Sequence, residues 1–238
     1  PVTADTVIDG FTVTGGSANE MGDPLHQYGG GLYCAGGSGG ECSPTLTNLV
    51  FSGNQANDYG GGMYNNGSGG VSSPSLTNVT FSGNQVNSDG AGMYNQGAGV
   101  GGESSPALIN VLFNGNQAGN TGGGMFNLGS GGGVSSPTLT NVTFGGNQAG
   151  SIGGGMVNFG VGGVSSPVIV NTILWGNDAP QIFNASSAAP TLSYSLVQGG
   201  CPTGATCEDG MLYADPLFVQ PIAAGSAPTT TGDYRLQF

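Results

Sequence analysis

The sequence has almost no positive charge. Its 238 residues include no lysine, one arginine and one histidine against 13 acidic residues, for a formal net charge of −12. A chain of this kind cannot neutralise phosphate groups, which excludes nucleic acid and anionic membrane surfaces as partners. The missing lysine also argues against phosphate binding by the glycine runs, because phosphate loops use a lysine and a following helix N-terminus.

Long apolar runs and helical periodicity are also missing. No stretch approaches the ~18 apolar residues of a membrane span, and none has the apolar spacing of an amphipathic helix. We therefore expect no membrane span in this chain and no helical repeats. No signal peptide is visible, and the start at Pro1 leads us to expect a processed or trimmed chain.

Cysteine is scarce, with two local pairs: Cys34 with Cys42, and Cys201 with Cys207. These spacings fit no zinc pattern. Two short disulfide loops are the favoured interpretation, and they indicate an oxidising, extracellular setting. Four free buried thiols are the alternative.

Glycine, by contrast, is abundant, and it recurs with a period. A segment that begins at Ser73 reads SPSLTNVTFSGNQ, and related segments begin at Ser43, Ser105, Ser136 and Ser166. The first asparagines of these segments are 30, 32, 31 and 30 residues apart, and a further copy follows after a shorter proline step of 23. Between the copies lies a second motif, GGGMYN and its variants. The regular period assigns the 50 glycines to turns rather than to disorder.

This period predicts an all-β solenoid. Fixed repeats of 20 to 50 residues indicate solenoids, propellers or arrays. Each unit has two short runs of β-branched and aromatic residues bounded by turn residues, which is typical of strands. A unit of ~31 residues is too short for a four-stranded propeller blade. We predict one domain over 1–238 with about seven to eight coils. Its main repeats cover 28–182, and irregular coils cover 183–238.

Stacking of the coils predicts ladders of identical side chains about 4.8 Å apart. Asparagine tolerates left-handed backbone and suits bends, so two asparagine ladders are placed at two corners. Their role is interpreted as structural rather than ligand-binding. The phenylalanine file comprises Phe51, Phe81, Phe113 and Phe144; the ladders comprise Asn48, Asn78, Asn110, Asn141 and Asn171, and Asn54, Asn84, Asn116, Asn147 and Asn177.

Several motifs resemble those of known secreted proteins. GGG-[LM]-Y and F-x-G-N are similar to the repeats of polymorphic outer-membrane proteins. VIDGFTVTGG, NTILWGN, YSLVQGG, ADPLF and DYRLQ resemble the choice-of-anchor type of bacterial secreted β-helix protein. The resemblance spans essentially the whole chain and implies a right-handed parallel β-helix of the pectin-lyase-like fold at the cell surface. Such proteins usually continue into an anchor or sorting segment, which leads us to expect that this part is missing beyond Phe238.

The same resemblance raises the question of catalysis, because enzymes of this fold cleave acidic polysaccharides with clustered acids and basic residues. Asp58 and Asp89 lie one coil apart and are weak candidates for a Ca²⁺ site, with two solvated loop acids as the favoured alternative. His26 is interpreted as a loop residue, and Arg235 as a partner of Asp233 or of the chain end. An anionic polyuronate would also be repelled by this chain. We assign no catalytic residue and no cofactor, and predict that the protein is not an enzyme.

Two exposed strips remain as candidate contact surfaces. Residues that flank the buried leucines, such as Thr45 and Thr47, form an uncharged T-x-T strip; strips of this kind can bind ice, but Ala107 and Val168 are among the residues that interrupt this one. A second column could stack on sugars or on a protein, or pack beneath the loops. This aromatic column comprises Tyr33, Tyr64, Tyr94, Phe126 and Val157.

We therefore predict a non-catalytic extracellular module that serves as a stalk, an adhesin or a subunit of a filament or surface layer. Uncapped solenoid ends expose strand edges, so the expected partners are copies of the chain, stacked head-to-tail or side by side, and surface glycans. The alternative is a β-helix that binds or degrades polysaccharides. Ice binding is the third hypothesis.

Overall fold

The chain is an all-β parallel solenoid. A computed structural model describes residues 1–20 and 24–237, and shows stacked coils of about 31 residues with almost no helix. This confirms the fold class predicted from the repeat.

The first three coils contain eleven strands and one short 3-10 helix, Pro24–Gln27. The first coil contains β1 (Val7–Asp9), β2 (Thr12–Thr14), β3 (Ser17–Ala18) and β4 (Leu32–Ala35). The second contains β5 (Thr45–Thr47), β6 (Val50–Ser52), β7 (Gln55–Ala56) and β8 (Met63–Asn66). The third contains β9 (Ser75–Ser82), β10 (Gln85–Val86) and β11 (Met93–Ala98).

The following coils repeat this order and then shorten. The fourth contains β12 (Ala107–Asn114), β13 (Gln117–Ala118) and β14 (Met125–Ser130). The fifth contains β15 (Thr138–Thr140), β16 (Thr143–Gly145), β17 (Gln148–Ala149) and β18 (Met156–Val161), and the sixth β19 (Val168–Val170), β20 (Ile173–Trp175) and β21 (Ile182–Ser186). The rest of the chain contains β22 (Thr191–Ser193), β23 (Leu196–Val197), β24 (Thr206–Cys207), β25 (Phe218–Gln220), a 3-10 helix Ala224–Ser226, and β26 (Asp233–Leu236).

Equivalent strands pair in parallel to form three sheets along the solenoid. The large sheet has 13 strands, and its longest path stacks β1, β5, β9, β12, β15, β19, β22 and β24. A five-stranded sheet stacks β3, β7, β10, β13 and β17. A six-stranded sheet stacks β4, β8, β11, β14, β18 and β21.

The number of complete turns is smaller than predicted. Five turns contribute strands to all three sheets, not seven to eight, although the large sheet continues to eight layers. The reason lies in the length of the later units. The step from Pro167 to Pro190 is 23 residues, which is too short to complete a turn of the earlier length.

The core consists of aligned files of identical side chains. The rings of Phe51, Phe81, Phe113 and Phe144 follow one another at centroid distances of 4.9, 4.8 and 4.7 Å and are parallel to within 5°. Leucine and methionine files lie beside them, fully buried. The predicted stacking of like residues over like is therefore present.

The end of the chain leaves the stack of coils. β25 and β26 pair only with each other, in antiparallel orientation. They belong to a segment, here called the terminal strap (residues 218–236), which folds back along the side of the third to fifth coils. The amide of Thr229 donates to the carbonyl of Gly115 at 3.0 Å, and the ring of Tyr234 lies over Gly145.

Candidate functional site

The two acidic residues proposed as weak metal candidates lie in adjacent loops. Asp89 accepts hydrogen bonds from the hydroxyl and amide of Thr121 at 2.6 and 3.0 Å, and from Asn120 and Ser88 at 3.0 and 2.9 Å. Asp58 accepts one from the side chain of Asn57 at 2.9 Å. The carboxylate of Asp89 thus holds the loop of the next coil in place. Within the described ranges, no three His, Cys, Asp or Glu side chains group in a way that could bind a metal.

Both basic side chains form ion pairs at the surface. Nδ1 of His26 lies 2.9 Å from a carboxylate oxygen of Glu20. The guanidinium of Arg235 contacts both carboxylate oxygens of Asp233 at 2.5 to 3.1 Å, and its side chain is 82% exposed. The hydrogen bonds from Arg235 lower the pKa of Asp233 to about 2. Arg235 therefore pairs with Asp233, as expected.

Both predicted asparagine ladders are present, and they differ in environment. The ladder that begins at Asn48 is exposed at a bend, where its residues have φ between 50° and 56°, and Asn48 itself donates to Asp9 at 2.8 Å. The ladder that begins at Asn54 is buried, and each step, such as Asn116 to Asn147 at 2.8 Å, also includes a bond to a backbone carbonyl. The amides thus replace backbone pairing where the chain turns between sheets.

A third asparagine ladder was missed in the sequence. Each member donates to the next at 2.8 Å inside the six-stranded sheet. The signal was the final asparagine of the GGGMYN motif, which recurs with the same period as the other two. This ladder comprises Asn65, Asn95, Asn127, Asn158 and Asn184.

Both predicted disulfides are formed. Cys34 is bonded to Cys42, and Cys201 to Cys207. Cys34 pairs in register with Asn65, so a disulfide occupies the position where the third ladder would otherwise begin. As a result, the buried side-chain oxygen of Asn65 accepts no hydrogen bond from the described residues.

The aromatic column packs beneath loops instead of facing solvent. Tyr64, Tyr94 and Phe126 are 3%, 4% and 8% exposed, and partly buried tyrosines from the preceding loops, Tyr28 and Tyr59, pack on them. Burial raises the pKa of the Tyr94 phenol well above its ordinary value, and the neighbouring phenols and Asp89 add to this effect. These rings are therefore part of a second core.

The T-x-T strip is the main uncharged exposed surface. It runs along β5, β9, β12, β15, β19 and β22, whose outward residues are exposed or half-buried. Thr138 and Thr140 are exposed, and Ile109 and Val168 are 44% and 46% exposed. The strip thus presents hydroxyl and methyl groups in layers ~4.8 Å apart.

The two ends of the solenoid have different shapes. At the N-terminal end, β1 to β4 belong to one coil and form one layer. At the other end the large sheet reaches β24, two layers beyond β21, where the six-stranded sheet ends. This step leaves a cleft of about 700 Å³ between β21 and the loop 198–203.

Comparison of the chain with models of protein families found no match, and a search of curated proteins found no similar sequence. In the part of the chain that the structure describes, no helix is long and apolar enough to cross a membrane.

Proposed function

We propose that this chain is a non-catalytic structural and adhesive module of a secreted protein, related to the pectin-lyase-like β-helices that its motifs resemble. One observation carries the proposal: identical side chains continue in register from coil to coil, with ring spacings of 4.7 to 4.9 Å in the phenylalanine file. Such a stack forms a stiff body that presents the same surface in every layer. A stalk or adhesin requires this property.

The covalent links and the charge of the chain support an extracellular location. One disulfide lies at the first coil and the other at the last, where coils have a neighbour on only one side. Disulfides persist in oxidising compartments, and a net charge of −12 favours solubility outside the cell.

The T-x-T strip is the proposed contact surface. It is flat and almost free of charge, which suits a neutral glycan surface or the same strip of a second copy. The stepped C-terminal end does not match the level N-terminal end, so lateral contact is favoured over head-to-tail stacking.

Two assays test the proposal together. In negative-stain images of the purified chain we expect short single particles or side-by-side pairs, and on a panel of polyuronates we expect no cleavage products. Cleavage that disappears in the variants Asp58→Ala and Asp89→Ala would contradict the non-catalytic proposal and support the polysaccharide-degrading alternative.

The strip is tested by pull-down with insoluble neutral polysaccharides. Thr140→Asp places a charge at the centre of the strip and is expected to reduce binding about tenfold. Ser151→Asp, at an exposed loop position away from the strip, is the matched control. Equal binding by both variants would show that the strip is not the contact surface.

A further inference from the structure

The cleft at the C-terminal end lies where the six-stranded sheet stops while the large sheet continues. Earlier strands of this sheet pair with the next coil by a constant rule: the amide of Met125 donates to the carbonyl of Gly155, and that of Met156 to the carbonyl of Gln181, both at 3.0 Å. In the same register, the amide of Ile182 points to the level of a seventh strand. No described strand occupies that level, because β21 ends the sheet.

The loop 198–203 closes the inner side of this level and leaves the outer side open. The side chain of Asn184 donates to the carbonyl of Thr203 at 2.9 Å, which ends the third asparagine ladder. The Cys201–Cys207 disulfide fixes the same loop. The cleft is therefore preformed, with the edge of β21 at residues 181–183 as its wall.

The lining of the cleft indicates what it can bind. None of its lining residues is charged, and Phe183, at the open end of the aromatic column, is half-buried. A ring from an added strand could continue that column, as each aromatic residue does on the previous coil. The side-chain oxygen of Gln198 already accepts bonds from Gly176 and Gln181, so its amide group faces the cleft side as a donor.

We propose that this cleft binds a short, uncharged, extended peptide segment that adds a parallel strand to β21. Strand addition at an open sheet edge is a common form of peptide recognition, in which backbone bonds supply affinity and alternate side chains supply specificity. The level end of a second solenoid cannot enter, because the large sheet extends two layers, roughly 10 Å, above β21. A single strand can. The register favours an apolar residue over Ile182 followed by an aromatic residue over Phe183, as in the GGGMYNN segment of the chain itself.

The test uses the full chain and a fluorescent peptide with the sequence GGGMYNN, followed by fluorescence anisotropy. Saturable binding is expected for this peptide. A control peptide with prolines in place of its methionine and first asparagine lacks two strand donors and is expected not to bind. Absence of binding by the first peptide would overturn the proposal.

Two pairs of variants locate the site. Thr203→Trp fills the cleft and is expected to abolish binding, whereas Thr138→Trp, on the exposed face of the large sheet, is expected to leave it unchanged. Phe183→Ala is expected to weaken binding about tenfold, with Phe11→Ala at the other end of the solenoid as its control.

Hydrogen exchange distinguishes strand addition from other modes. Bound peptide should slow exchange of the amides at 181–183, and exchange at β4, the other edge strand of the sheet, should not change. Protection at β4 alone, or binding without protection of β21, would refute the proposal. Binding of neutral oligosaccharides in place of the peptide would identify the cleft as a glycan site and would also refute it.

Discussion

At the residue scale, single amide side chains hold one coil to the next. In the buried ladder, Asn116 accepts bonds from the backbone and side-chain amides of Asn84, and donates to Asn147 and to the carbonyl of Phe81. A buried polar group that loses its partner costs far more than an exposed one, because it cannot bond to water instead.

We therefore expect Asn116→Ala to destabilise the protein by about 3 kcal/mol in denaturant unfolding, because it leaves buried donors and a carbonyl unpaired. Asn110→Gly is the matched control, since it removes an exposed ladder amide where φ is 54° and glycine fits that backbone. Its expected cost is under ~1 kcal/mol. Equal losses for the two variants would contradict this account of the ladders.

A second residue-scale prediction concerns Cys34, which stands at the start of the third ladder. Cys34→Asn with Cys42→Ser removes the disulfide but supplies an amide in register with the unsatisfied oxygen of Asn65. It should be more stable than Cys34→Ala with Cys42→Ser by about 1 kcal/mol, measured as a difference in unfolding free energy. If the asparagine variant is no more stable, the ladder does not extend to the first coil.

The buried phenols predict a loss of stability at alkaline pH. Because burial raises the pKa of Tyr94 above its unfolded value of about 10, its contribution is fully present below pH 10. It is lost as pH rises above this value towards the folded pKa. Tyr94→Phe, which copies Phe126 in the next coil, should shift alkaline unfolding to higher pH. Tyr213→Phe, at a 48% exposed position, should not.

At the element scale, the terminal strap depends on glycines in the side of the solenoid. A Cβ at Gly145 would lie 2.0 Å from the ring of Tyr234, and one at Gly146 would lie 2.5 Å from Ile222. Burial in this contact raises the pKa of Tyr234 to about 12. The strap therefore packs as part of the body and is not a loose tail.

Gly145→Val should displace the strap and lower stability by about 2 kcal/mol through lost apolar burial. The pKa of Tyr234 should fall from about 12 towards 10, which ultraviolet absorbance can follow. Gly225→Ala, at a strap position with no atom within 4 Å, is the control. An unchanged tyrosine titration in Gly145→Val would contradict this packing.

The elements also show what the sequence can and cannot reveal. Phe81 and Asn84 were placed correctly because they recur with a fixed spacing, and equal spacing in a solenoid means equal position. The strap was expected as further strands, and both strands exist, but they pair with each other. Its contact with Gly145 could not be foreseen, because residues 218–236 repeat nothing and meet coils about 90 positions earlier in the sequence.

At the scale of the whole molecule, the charge distribution predicts resistance to trypsin. Arg235 is the only lysine or arginine, so trypsin can remove only the last three residues, in the folded and in the urea-unfolded protein alike. Mass spectrometry should show one product that ends at Arg235. Proteinase K is the comparison: it should digest the unfolded chain rapidly and the folded solenoid slowly. Rapid digestion of both would contradict a stiff body.

The path of the strap determines how the molecule would carry tension. Force applied at Pro1 enters the first coil, but force applied at the other end enters through the strap, which is hydrogen-bonded to the fourth coil through Gly115 and Asn114. While the strap holds, the load passes between these points, and the later coils with their cleft are mechanically shielded. Pulled by its two termini, the solenoid should therefore yield first in its N-terminal half or at the strap.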